Sequence, residues 1–287
     1  MNGNPHVSEG LKLGLIGDNI AHSRSPLLHR LAGAQNEIEV CYDRLVPNEL
    51  GLDFEQVFEL CSRENYRGVN VTYPYKERVA ELVRIDDPLV RAIGAVNTVI
   101  FEGDTPLGHN TDYSGFMAAY RLRRGSKATG PVLMIGTGGV GRAVAFGLVA
   151  LGAPELRLMD RDPSKAEVLA KALEAVAPDM KVSIWIDAEK AANGTMGLIN
   201  CTPVGMVGYE GTPLKRAFMQ SAEWAFDAVY TPVDTQFLQD ASISGLSIIS
   251  GWELFFFQGV HAWKKFSNLP VDETALRVAL TDMGETA

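Results

Sequence analysis

The stretch MIGTGGVGRAV sets Gly136, Gly138 and Gly141 at the spacing G-x-G-x-x-G, with Gly139 inside it. Between an apolar strand and a helix, such a turn suits a pyrophosphate. The first glycine permits a tight bend, the second lets backbone approach the phosphates, and the third lets helix and strand pack closely. The helix start adds N–H donors and a positive partial charge. An acid roughly 20 residues further on, at the end of the next strand, accepts from the ribose hydroxyls in this pattern. Asp160 stands there, with Arg161 and Asp162 after it. The charge of Asp160 repels a 2′-phosphate, whereas Arg161 is able to pair with one. Asp162, directly before Pro163, is the better helix cap, which leaves Asp160 to the ribose.

Three segments of the first half carry groups suited to a polyhydroxylated acid. AHSRSP offers the hydroxyls of Ser23 and Ser25 just before a helix. Hydroxyls and helix-start N–H groups bind carboxylates, although plain capping by Ser25 accounts for the pattern equally. NVTYPYK ends a strand with Asn70, Thr72 and Lys76, at the edge where α/β sheets bind ligands. Taken alone, Lys76 reads more simply as an exposed lysine at a helix start. GAVNT and GHNTDYSG supply Asn97, Asn110, Thr111 and Asp112, which also read as an Asx turn or a cap.

The elements needed to hold these groups are visible as alternating short apolar and longer amphipathic runs, the pattern of βαβ units. LKLGLIG, EVCYDRLV, YRGVNVTYP and GAVNTVIFEG read as strands of a first series, with helices at SPLLHRLAGAQN and DFEQVFELCSRE. A second series follows the break GSKATG. Its strands are PVLMIG, ELRLMD, KVSIWI, MGLINC, EWAFDAV and LSIIS, and its near-continuous apolar runs suit a parallel sheet covered on both faces. The expected fold class is α/β with two domains. Residues 1–110 form an α/β substrate domain, 111–250 a Rossmann-like doubly wound dinucleotide domain, and helices in 251–287 return to the first.

The chain has 287 residues, 46% of them hydrophobic, and a net charge of −9. That acidity argues against general binding of nucleic acid or an anionic membrane surface. No apolar run reaches the ~20 residues of a membrane span. The N-terminal MNGNPHVSEG lacks the apolar stretch of a signal peptide. Three scattered cysteines, Cys41, Cys61 and Cys201, fit a reducing cytoplasm. No histidine pair has metal-ligand spacing, so no metal is expected.

In order, HSRSP, NVTYPYK, GAVNT, GHNTDYSG, GTGGVG, NCTPVGM, AVYTP with DTQFL, and GWELFFFQG make the chain similar to the shikimate dehydrogenase family, from about residue 11 to 280. The resemblance implies hydride transfer between a nicotinamide dinucleotide and the ring C–OH of a small polyhydroxylated cyclic carboxylic acid, shikimate or quinate, within aromatic amino acid biosynthesis. It implies Lys76 and Asp112 as the catalytic pair, and Ser23 and Ser25 at the substrate carboxylate with Tyr230 nearby. Thr72, Asn97, Asp112 and Gln258 are implied at the ring hydroxyls. Gly136, Gly138, Gly139, Gly141, Asp160, Arg161 and Thr202 are implied at the cofactor. A homodimer is compatible with this reading.

The chain also departs from the family pattern. Asp160-Arg161-Asp162 stands where NADP-using members commonly carry Asn-Arg-Thr/Ser, so NAD is expected over NADP. Cys201 replaces a usual alanine. Leu254 replaces a methionine near the nicotinamide, among Trp252, Phe255, Phe256 and Phe257, which either reshapes the cleft wall or conserves core volume. An aminoshikimate-type enzyme, a folate-linked dehydrogenase and a non-catalytic NAD-binding regulator are the competing readings. The Ser23/Ser25 pair and GHNTD oppose the folate enzyme, and retention of Lys76 and Asp112 opposes the regulator.

Overall fold

The computed structural model describes residues 10–282; the MNGNPHVSE segment, on which the signal-peptide expectation rests, lies outside them. The chain divides into two compact units, one reaching Thr111 and resuming at Gly259, the other spanning Asp112–Gln258.

The first unit begins with β1 (Leu11–Ile16), α1 (Ser25–Gln35), β2 (Val40–Leu45), α2 (Pro47–Leu50), α3 (Phe54–Arg63) and β3 (Gly68–Val71). It continues with α4 (Lys76–Ala80), α5 (Pro88–Ile93), β4 (Thr98–Ile100) and β5 (Leu107–His109). Its sheet runs β2-β1-β3-β4-β5. The first three strands are parallel, and β4 and β5 add antiparallel. β5 lies inside what reads in sequence as a polar loop; three residues around Gly108 carry too little pattern to mark a strand.

Apolar side chains cover both faces of this sheet. Ile16, Val57, Val69, Val79 and Val99 belong to one core, and Leu13, Leu15, Ala32, Trp263 and Phe266 to the other. The second core is completed by the end of α11 (Gly251–Ser267). Ser25 does not cap α1. Arg24 occupies the cap without a side-chain capping bond, its guanidinium donating instead to Leu280 O, and Ser25 is the first helical residue, its N–H donating to Ser23 Oγ at 3.3 Å.

The second unit contains α6 (Thr111–Arg124, from Asp112 on), β6 (Val132–Ile135), α7 (Gly139–Ala150), β7 (Glu155–Met159), α8 (Pro163–Val176) and β8 (Lys181–Ile184). After α9 (Ala188–Ala191) come β9 (Gly197–Asn200), β10 (Trp224–Asp227), α10 (Gln236–Ile243) and β11 (Ser247–Ile249). The sheet order is β11-β10-β9-β6-β7-β8, with every pair parallel. This is the doubly wound arrangement, and the strand order reverses between β6 and β9, where such sheets bind ligands. As expected for strands covered on both faces, β6, β9 and β10 are buried along their whole length. α11 leaves the second unit at Gln258 and completes the first, and α12 (Glu273–Asp282) packs on α1. The change of unit therefore falls inside a helix, later than the break at 250 drawn from pattern.

No helix among the described residues is long and apolar enough to cross a membrane. All three cysteines are free thiols.

His29 is 1% exposed, stacked on Tyr42 at 5.1 Å and edge-on to Phe266 at 5.4 Å. Burial pushes its pKa down to about 3, against a smaller opposing effect of Asn70. The imidazole thus folds neutral while the unfolded chain binds a proton below about pH 6.5. Stability tied to this group is present above that pH and is lost as pH falls toward about 3. His29→Gln should lower the melting temperature near pH 7 through lost packing, yet reduce its further fall between about pH 6.5 and 4. Thermal melts across that range check this; parallel curves for the two proteins would contradict it.

Candidate active site

In the first unit, the expected site residues sit at the C-terminal ends of β1 and β3 and the start of β4. Ser23 and Ser25 bring their hydroxyl oxygens within 3.2 Å of each other, and the Arg44 guanidinium donates to Ser23 O at 2.8 Å. Thr72 follows β3, its N–H donating to Ile16 O at 2.9 Å. A cis peptide joins Tyr73 and Pro74, after which Lys76, half-buried, opens α4. Lys76 O accepts from Val96 N at 2.8 Å, and Asn97 O accepts from Val71 N at 2.9 Å. The two backbone bonds fasten the α4 start and the end of β3 to the segment carrying Asn97.

Asn97 is 3% exposed. Its Oδ1 accepts from Thr111 N at 2.7 Å, Thr111 Oγ1 at 3.1 Å and Thr98 Oγ1 at 3.1 Å. It therefore caps α6 from 14 residues away. Asn110 Nδ2 adds a bond to Ala95 O at 2.9 Å. Behind this lies a buried chain: Tyr42 Oη donates to Asn70 Oδ1 at 2.9 Å, and Asn70 Nδ2 donates to Thr98 Oγ1 at 3.1 Å. Asn70 and Thr98 face each other directly across β3 and β4. Burial drives the Tyr42 hydroxyl well above the ordinary tyrosine pKa, so it remains a donor. Asp112, 5% exposed, is the residue after Thr111 in the chain.

In the second unit, Asp112 lies one turn before Gly115 on α6. A Cβ at Gly115 would meet Gln258 N at 2.8 Å, so glycine there lets α11 approach and brings Gln258 close to the Asp112 turn. Tyr230 stacks on Phe255 at 5.4 Å, and Trp252 lies 5.2 Å from the same ring. Leu254, Phe255, Phe256 and Phe257 are all buried, so these bulky residues fill the core of α11 while Trp252 and Tyr230 stay half-buried.

The glycine turn has the division of labour expected of it. Gly136 has φ +99°, and its Cβ would meet Cys201 C at 2.6 Å and Thr202 N at 2.8 Å. A Cβ at Gly141 would lie 2.2 Å from Gly136 O. Gly138, the N-cap of α7, faces open space, and Gly139 is the first helical residue. Asp160 accepts at Oδ2 from Thr137 N at 2.7 Å and Thr137 Oγ1 at 2.8 Å, and at Oδ1 from Asp162 N at 2.9 Å. Burial raises its pKa, but these bonds outweigh that and hold the carboxyl below its ordinary value. Asp160 is thus not left wholly to a ribose; it also pins the glycine turn. Asp162 caps α8 through Ser164 N at 3.1 Å, and Arg161 is exposed.

A cluster unread in the sequence orders the other wall. Asn200 Oδ1 accepts from Thr202 N at 3.0 Å and Thr202 Oγ1 at 2.6 Å. Asn200 Nδ2 donates to Asp227 Oδ1 at 2.9 Å. Asp227, fully buried, also accepts from Val229 N at 2.9 Å and Thr235 Oγ1 at 2.6 Å. Burial lifts its pKa to about 6 despite these donors. One carboxylate therefore gathers the loops bearing Thr202 and Tyr230 and the start of α10. Open space at Gly138, a half-buried helix start and an ionised acid at the end of β7 fit a dinucleotide. No group of three or more His, Cys, Asp or Glu among the described residues is placed to hold a metal.

Known proteins share this fold and much of this sequence. Residues 15–99 match the shikimate dehydrogenase substrate binding domain. A shikimate dehydrogenase (NADP(+)) from an Arthrobacter species is 33% identical over 281 residues, 96% of each chain. The chain belongs to the shikimate dehydrogenase family. Another relative in it, a quinate/shikimate dehydrogenase (NAD(+)) from Corynebacterium efficiens, is 32% identical over 96% of this chain and 99% of its own. Among solved structures, quinate dehydrogenase from Corynebacterium glutamicum in complex with NAD superposes with a TM-score of 0.89 at 30% identity, covering 96% of this chain and 99% of that one. Shikimate 5-dehydrogenase from Thermus thermophilus, in complex with NADP(H) and shikimate, gives 0.82 at 30% identity over 95% and 99%. The second unit is the family's NAD(P)-type dinucleotide fold.

The glycines separate packing from ligand contact. Gly141→Ala should lower the melting temperature by about 5 °C or more, because its methyl meets backbone. Gly138→Ala should melt within about 2 °C of the parent but weaken dinucleotide binding roughly tenfold or more. Melting curves and dinucleotide titrations check the pair; a Gly138→Ala protein that binds normally would contradict the assignment.

Proposed function

We propose that this chain is a dehydrogenase that interconverts the ring C–OH of a shikimate- or quinate-type acid with the corresponding ketone, using NAD. The observation that carries this is the gathering of Lys76, Asn97 and Thr111 at one sheet edge, with Asp112 following directly in the chain. The dinucleotide, held by the glycine turn and Asp160, would supply the hydride acceptor. Lys76 Nζ takes the hydroxyl proton during oxidation and returns it during reduction, and Asp112 aligns the same hydroxyl. Thr72, Asn97 and Gln258 bind the ring hydroxyls, the roles the family resemblance gives them. The close hydroxyls of Ser23 and Ser25 hold the carboxylate, a group to which the family resemblance also assigns Tyr230.

The choice of NAD is argued from charge. Asp160 is ionised and fixed in place, and Asp162 adds a second negative charge two residues on, so a 2′-phosphate meets repulsion. Exposed Arg161 offsets part of this from solvent, where screening is strong. Gly136, Gly138, Gly139 and Gly141 receive the pyrophosphate, and Thr202 lines the opposite loop.

Lys76→Ala tests the chemistry. Turnover should fall by roughly 10²–10⁴-fold, while the dissociation constant for the substrate changes far less. Steady-state rates and an equilibrium titration on the same variant measure the two effects. A near-normal turnover number would remove Lys76 from the mechanism.

A further inference from the structure

We propose that the Thr137 hydroxyl is a positioning group for cofactor selection: by donating to Asp160 Oδ2 it fixes the carboxylate that reads the ribose. The inference rests on the NAD reading above and extends it to a residue that reading does not use. Thr137 occupies the first variable position of the glycine turn, where backbone geometry alone makes no demand for a hydroxyl. It is 2% exposed, and its Oγ1 reaches Asp160 Oδ2 at 2.8 Å. Its own N–H reaches the same oxygen at 2.7 Å.

A carboxylate has about four acceptor sites. Thr137 fills two on one oxygen, and Asp162 N fills one on the other, at 2.9 Å. Two donors from one residue on Oδ2 and a third on Oδ1 fix both the rotation and the plane of the group. The remaining acceptor capacity is concentrated on Oδ1, which is the oxygen left to receive a ribose hydroxyl. A β-branched side chain has few χ1 choices, so the direction of this hydroxyl is itself well set.

A fixed carboxylate discriminates better than a free one. It offers a pre-aligned acceptor to the 2′-hydroxyl, and it is unable to swing away from a 2′-phosphate to relieve repulsion. Valine in place of Thr137 keeps the shape and backbone bond but removes the Oγ1 donor. Asp160 then loses one of its three restraints, favouring NAD less and opposing NADP less.

The test compares wild type, Thr137→Val and Thr137→Ser in kcat and KM for NAD and NADP, in NAD dissociation constant by titration, and in melting temperature. Thr137→Val should lower the ratio of kcat/KM for NAD to that for NADP by about 5- to 20-fold, mainly through a higher KM for NAD. Its NAD dissociation constant should rise by a similar factor, and Thr137→Ser should stay within about twofold of wild type in both. An unchanged ratio, equal losses with both cofactors, or failure of serine to restore the ratio overturns the inference. A wild type that prefers NADP overturns the NAD reading separately. The inference is then decided by the NAD titration, where equal dissociation constants for wild type and Thr137→Val reject it.

Discussion

The site of the first unit depends on one buried carboxamide. Asn97 Oδ1 gathers three donors, two of them from Thr111, and so ties the start of β4 to the start of α6. The backbone on either side ties in the rest: Val96 N holds Lys76 O, and Asn97 O holds Val71 N. A buried donor left without its acceptor costs about 1–3 kcal/mol, so these bonds act together rather than singly. Lys76 belongs to a helix of only five residues, too short to fix the lysine by its own cooperativity. Its position comes from the Asn97 segment instead, through the bond from Val96 N to Lys76 O.

The second unit solves the same problem with a carboxylate. Loops leaving β9 and β10 need their shape fixed, and neither contains a helix long enough to do so. Asn200 and Asp227 face each other across those strands and direct bonds into both loops. On the far side of the glycine turn, Asp160 binds Thr137 and Asp162 in a similar way. In each case a side chain at the carboxyl end of a strand satisfies loop N–H groups that have no sheet partner. The rigidity needed for transferring a hydride along a defined path thus comes from strand-end polar residues.

What was legible in the sequence was local. The glycine turn, the cap at Asp162 and the six parallel strands of the second sheet each carry their signal within a few residues. Motif resemblance added roles for Ser23, Asn97 and Asp112, which read alone as caps and turns, for Thr72 at a strand end, and for Lys76, which reads alone as an exposed lysine at a helix start. The positioning residues were hidden for a physical reason. Asn97 reads as a turn residue because its partner Thr111 lies beyond β5, itself unmarked in pattern. Asp227 ends the apolar run WAFD and shows nothing of its bonds to Asn200, Val229 and Thr235. Thr137 hides as a variable residue between two glycines. Ser25 misled in the opposite sense: S-P at a helix start is a good cap signal, but Ser23 supplies the acceptor and Ser25 is already helical.

The proposed activity is oxidation of a ring alcohol with NAD. Its most direct measurement is the initial rate of dinucleotide reduction by the purified protein, with shikimate and with quinate, each against NAD and NADP at equal subsaturating concentration. Reduction is expected with at least one of the two acids, with NAD giving the larger kcat/KM. Absence of reduction with either acid and either dinucleotide would contradict it.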